Sequence, residues 1–207
     1  NEIHYQPKDA THSEFIEIEN SGPGPASLDG VRFSDGIDFS FPTGTVLGSG
    51  ERILLVSNQD AFAQLYPGVP VAGVFSCKLR NEGERLALSN LTGETLFEVT
   101  YDNTTPWPQS AAGGGRTLVL PDDADPSDPA SWRPSSHDGG SPGTENPEPS
   151  GDSDSDGLPD EWELQHFGDF NQLADGDFDT DGLANLLEYA FGSSPSDPSS
   201  TNLPQSS

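Results

Sequence analysis

Short apolar runs broken by glycine and proline fill the first two thirds of this chain. In residues 14–19 (EFIEIE), Phe15 and Glu17 fall on one side of an extended chain and Ile16 and Ile18 on the other. Successive side chains of a strand point to opposite faces, so this period of two predicts a strand with one packed face and one wet face. The same reading predicts strands over residues 2–5, 31–34, 38–41, 52–57, 85–89, 96–101 and 117–120. The segments NSGPGP, FPTGTVLGSG and NEGE separate them; glycine supplies positive φ, and proline cannot donate to a ladder. Residues 60–66 (DAFAQLY) differ. Their apolar positions are spaced as in a helix, Asp60 is placed as an acidic N-cap, and Pro67-Gly68 stops the pattern. One short helix across an end of a β-sandwich is expected there.

The pattern changes near residue 139. Residues 139–151 (GGSPGTENPEPSG) read as a Pro/Gly linker, and two acidic stretches follow. DSDSDGLPDEWE runs from Asp152 to Glu163, and DFDTDGLANLLE from Asp177 to Glu188, 25 residues later. Both fit the twelve-residue calcium-loop pattern D-x-D-x-[DN]-G-x5-E. Calcium takes six to eight oxygens, and carboxylates on alternate residues of a tight loop converge on one point. Asp152, Asp154 and Asp156 would do so in the first loop, and Asp177, Asp179 and Asp181 in the second. Gly157 and Gly182 allow the sharp turn. Leu158 and Leu183 would offer backbone carbonyls, Asp160 and Asn185 a direct or water-mediated oxygen, and Glu163 and Glu188 the closing carboxylate. About two Ca²⁺ ions are expected.

Proline at 147 and 149 forbids a helix before the first loop, so only an exiting helix is expected, roughly 159–167, with Pro159 in its first turn. Trp162, Leu164 and Phe167 would pack against Leu183, Leu186, Leu187, Tyr189, Ala190 and Phe191 around a second helix, with Gly168 and Gly192 as stops. Residues 196–207 again read as a linker.

Composition narrows the partners. The chain has 207 residues and a formal net charge of −27, with no Lys or Arg after Arg133. Such a surface repels phosphate backbones and anionic lipid, so neither nucleic-acid binding nor membrane insertion is expected. Charge-rich calcium loops of modest affinity work where calcium is abundant, which points to an extracellular or cell-surface setting. The chain contains no methionine and a single cysteine, Cys77. It reads as a processed portion of a longer protein, and Cys77, in VFSCKL, as a small core residue.

The ordered blocks NEIHY, EFIEIENSG, LDGVRFSDG, FSFPTGTVLGSGERILLVSN, LRNEGERLALSN and VTYDNTTPWP, with the later GGGRTLVL and DPSDPASWRPS, resemble the lamin tail domain over residues 1 to about 138. That resemblance implies an immunoglobulin-like β-sandwich acting as a binding or structural module without catalytic residues, found in nuclear lamins and in bacterial extracytoplasmic proteins. No heptad helix precedes it, so a filament role is not expected. The loop-helix duplication over 152–195 resembles dockerin modules, EF-hands and thrombospondin type 3 repeats. It departs from dockerins in closing each loop with Glu, which counts against a cohesin partner.

The expected fold class is therefore mainly β: an immunoglobulin-like sandwich (1–138), a linker (139–151), a small α calcium-loop module (152–195) and a second linker (196–207). The expected function is that of a noncatalytic, calcium-binding structural or adhesion portion of a secreted multidomain protein. Its partners would be other domains of the same chain or surface proteins. The alternative is an accessory region of an extracellular hydrolase that grips polysaccharide, with Trp107 and Trp132 as stacking platforms. His4, Asp9 and His12 lie close enough in sequence for a metal site, although a strand-end His4 and an exposed His12 explain them more simply. No G-x-S-x-G, H-E-x-x-H or phosphate-binding glycine loop occurs.

Overall fold

The computed structural model describes the chain except for residues 9–12, 147–151, 153, 155 and 201–207. It divides into two compact units, Asn1–Pro147 and Glu148–Ser207. Asp9 and His12 of the suggested metal site lie outside the described residues.

The first unit is a β-sandwich. One sheet has six strands in the order β11-β10-β1-β2-β6-β7. These are β1 (Glu2–His4), β2 (Phe15–Glu19), β6 (Arg52–Val56), β7 (Gly73–Val74), β10 (Leu118–Val119) and β11 (Arg133–Pro134). Every pairing is antiparallel except β6 with β7. The second sheet is β4 (Arg32–Asp35), β8 (Gly83–Ser89) and β9 (Thr95–Asp102), in the order β4-β8-β9. A small ribbon pairs β3 (Ala26–Ser27) with β5 (Val46–Leu47). Residues 38–41, expected as a strand, make only isolated bridges, Asp38 with Ser76 and Arg32 with Ser40.

Period two decides what lies inside. Ile3, Ile16, Leu55 and Leu118 of the first sheet pack on Phe33, Leu86, Leu88, Val99 and Tyr101 of the second. The opposite face of β2 and β6 is not simply wet. Phe15, Leu54 and Val56 form a second apolar cluster with Phe62 of helix α1 (Gln59–Leu65). The helix thus covers the face of a sheet rather than an end of the sandwich, and Phe62 meets Phe15 edge-on at 5.9 Å. Its N-cap is Asn58, whose side chain accepts from the Ala61 N–H, and Asp60 lies inside the first turn.

The rest of that outer face is covered by the stretch read as linker. Gly139 donates to the Gly115 carbonyl, Ser141 to Glu2 Oε1, Gly143 to Glu17 Oε2, and Asn146 Nδ2 to Asn1 Oδ1. Residues 139–146 therefore belong to the sandwich. Glu2 and Glu17 are register partners on adjacent strands, and both are buried. Burial raises Glu17 to about 7 and Glu2 above the usual carboxylate range. Arg52 lies 3.6 Å from Glu17 and 2.7 Å from Glu19.

Cys77 is exposed and takes φ 72, contrary to the core position expected from its apolar neighbours. The residue sits at a turn, where backbone direction overrides side-chain preference.

Candidate metal centre

In the second unit the two acidic loops share the same turn-forming bonds. Asp152 accepts the N–H groups of Asp156 (3.0 Å) and Gly157 (2.8 Å). Asp177 accepts those of Asp181 (3.1 Å) and Gly182 (2.9 Å). Asp156 Oδ1 then accepts from Leu158 at 2.8 Å, as Asp181 Oδ1 does from Leu183 at 2.7 Å. Each first-position carboxylate holds the turn, and the turn requires glycine at the sixth position: Gly157 has φ 102 and Gly182 has φ 96. The winding brings Asp152, Asp154 and Asp156 together, and likewise Asp177, Asp179 and Asp181. Within each trio the ligating oxygens lie within 4.8 Å of one another.

Each loop runs into a seven-residue helix, α2 (Asp160–His166) and α3 (Asn185–Phe191), beginning at the ninth loop position. That phase turns Glu163 and Glu188 inward, and both are fully buried. Neither oxygen of Glu163 has a hydrogen-bond partner among the described residues. Glu188 Oε1 accepts from the Ser193 hydroxyl at 3.2 Å while its Oε2 has no partner. Asp179 and Asp181 each also keep one bare buried oxygen. Burial pushes Glu163 up to about 8, with Asp154 and Asp156 adding to the shift. Burial, followed by Asp179, raises Glu188. A buried carboxylate without a donor is expensive, and several facing one another more so. The donor set is all oxygen, and its closing carboxylates are buried, with at least one oxygen of each unpartnered; a hard cation matches both properties.

The remaining expected ligands have mixed surroundings. Leu158 is buried and Leu183 half-buried. Asp160, the first residue of α2, is buried. The Asn185 side chain takes part in hydrogen bonds within the unit: Oδ1 accepts from Phe178 at 3.3 Å, and Nδ2 donates to the Leu173 carbonyl at 2.9 Å. The expected core between the helices is small. Trp162 meets Tyr189 at 5.5 Å and Phe167 meets Phe178 at 5.1 Å, but Leu186, Leu187, Tyr189 and Phe191 are exposed. Gly168 (φ 76) and Gly192 (φ 69) stop the helices as expected.

Sequence reasoning did not find residues 173–176, which run between the repeats. Ala174 donates its N–H to Asp156 Oδ2 at 2.7 Å. The contributing groups are backbone atoms, which leave no residue-type signal.

Other candidates fare differently. Trp107 and Trp132 are 6% and 4% exposed, with ring centroids 5.8 Å apart inside the core, so neither offers a face for a sugar to stack on. His4 is buried edge-on against Phe15, and burial lowers it to about 4. Between the sheets a cleft of about 420 Å³, lined by residues such as Ile18, Leu28, Leu96 and Phe97, is mostly apolar. Among the described residues no helix is long and apolar enough to cross a membrane.

Comparison with known proteins bears on part of the first unit alone. Residues 1–103 match the family described as Lamin Tail Domain. No curated protein and no solved structure matches the chain. The mainly β, immunoglobulin-like sandwich agrees with that family.

Proposed function

We propose, from the premise that residues 1–103 match the lamin tail domain family, that this chain is a noncatalytic structural or adhesion portion of a secreted or cell-surface protein. In this reading its second unit folds around two calcium ions. The observation that carries the calcium reading is the pair of closing glutamates. Glu163 and Glu188 are fully buried, each with at least one unpartnered oxygen, behind a trio of converging aspartates. Asp152, Asp154, Asp156, the Leu158 carbonyl, Asp160 and Glu163 would hold one ion. Asp177, Asp179, Asp181, the Leu183 carbonyl, Asn185 and Glu188 would hold the other.

The metal would supply the cohesion that the second unit lacks. Two helices of seven residues do not persist on propensity, and the clustered carboxylates repel. Ligation converts that repulsion into a fold, so binding and folding become one equilibrium. The sandwich has its own core and needs no ion. The result is a spacer that is ordered where calcium is abundant, C-terminal to a β module that faces other domains or surface proteins.

Circular dichroism on the full chain tests this. Chelation with EDTA should remove the helical signal of α2 and α3 and leave that of α1 and the β signal intact, and added Ca²⁺ should restore it with an uptake of about two ions per chain. A spectrum indifferent to chelation, together with no calorimetric uptake, defeats the reading.

A further inference from the structure

The start of α3 is held by the segment that runs between the repeats. The first N–H groups of a helix have no partner inside it and need outside acceptors. The N-cap of α3, Ala184, offers no side-chain bond. Instead the Asn185 N–H donates to the Gly176 carbonyl at 2.7 Å, and the Leu186 N–H to the Ala174 carbonyl at 3.0 Å. Asn185 Nδ2 adds a third tie, to the Leu173 carbonyl. Space is tight: a Cβ on Gly176 would stand 3.0 Å from the Leu173 carbonyl oxygen and 3.2 Å from Asn185 Nδ2. On its other side this segment is fixed to the first loop, because Ala174 donates to Asp156 Oδ2.

We infer that residues 173–176 couple the two loops, so that an ion in either raises the affinity of the other. This rests on the calcium reading above. The path has three links. An ion in the first loop fixes Asp156, and Asp156 holds Ala174. The carbonyls of Ala174 and Gly176 then seat the N-terminus of α3. That helix carries Glu188, the residue that closes the second loop. Equilibrium coupling is reciprocal, so the second loop biases the first by the same factor. A direct backbone bridge between the loops loses one donor at the eighth position, where Pro159 has no N–H. Ala174 and Asn185 are positioning residues on this path.

The test is a calcium titration of the full chain by calorimetry. Glu188→Gln cripples the second loop and leaves every ligand of the first in place. Its remaining site should bind calcium about tenfold more weakly than the first loop does with both loops intact. In an Ala174→Pro background, which removes the N–H given to Asp156 and no side-chain ligand, Glu188→Gln should leave first-loop affinity unchanged. First-loop affinity within twofold of the parent on Glu188→Gln alone overturns the coupling while two-ion uptake by the parent leaves the calcium reading standing. That arm is decisive even if Ala174→Pro misfolds. No uptake by the parent chain overturns both.

Discussion

The two units solve the same problem of cohesion by opposite means. The sandwich buries Leu55, Val56, Phe62, Tyr101 and Leu118 almost completely. The C-terminal unit leaves most of the apolar side chains of α3 exposed and buries Glu163, Glu188 and Asn185 instead. Apolar burial is favourable by itself, at roughly 25 cal/mol per Å². Carboxylate burial is unfavourable until something compensates it. One unit therefore draws its stability from its own apolar side chains, and under the calcium proposal the other would take it from solution. Buried acids occur in the sandwich too; there one oxygen each of Glu2 and Glu17 accepts backbone or hydroxyl donors from Thr117, Ser141 and Gly143, the other has no hydrogen-bond partner among the described residues, and Glu17 has the Arg52 guanidinium 3.6 Å away.

The comparison breaks most readily at the sandwich core. Trp132→Ala should cost about 3–5 kcal/mol and lower the melting temperature of the β signal, with calcium uptake by the second unit unchanged. A parallel loss of uptake would mean that the two units do not fold separately.

The next largest effect is one of pH. The folded-state value of Glu17, about 7, lies above its ordinary 4.5. A raised value means the folded state holds the proton more tightly, so this contribution is complete below about pH 4.5 and lost as pH rises through about 7. The loss amounts to at most ~3 kcal/mol. Glu17→Gln, which cannot ionise, should flatten denaturant-measured stability across that window and gain most over the parent above it. An unchanged slope would locate the titration elsewhere.

In the second unit, Glu163→Gln should leave the sandwich melt untouched and weaken one calcium site. Losing a direct ligand should cost no less than losing an outer-shell partner, about 10–100-fold in affinity, read by calorimetry. The smallest expected effect is at α1. Asn58→Ala removes the N-cap bond to Ala61 and should destabilise the sandwich by about 1 kcal/mol in urea. If it destabilises no more than a surface substitution, the helix is held by Phe62 alone.

The strands longer than three residues were legible in advance, because β2, β6, β8 and β9 carry alternation or dense β-branched and aromatic content. The two-residue strands β3, β5, β7 and β11 were not, since a pair of residues has no period and its pairing is set by distant partners. The turns of the acidic loops and the convergence of their aspartates were legible because both lie within twelve consecutive positions. The burial of Glu2 and Glu17 contradicts what their alternation suggests. Charged positions beside Ile3 and Ile16 read as a wet face, yet residues 139–146 return from more than a hundred residues away to cover them.

The sequence by itself determined the alternation that makes a mainly β first unit, the glycines at 157 and 182, and the spacing of the aspartates in both loops. These are local properties, fixed by how neighbouring residues bend the backbone and where their side chains point. Tertiary structure decided that α1 caps a sheet face, that Trp107 and Trp132 are core, and that residues 139–146 fold back on the sandwich. It also decided that Ala174 joins one loop to the helix of the other. Each of these depends on backbone donors and apolar surfaces meeting across long stretches of chain, and residue type carries no mark of such meetings.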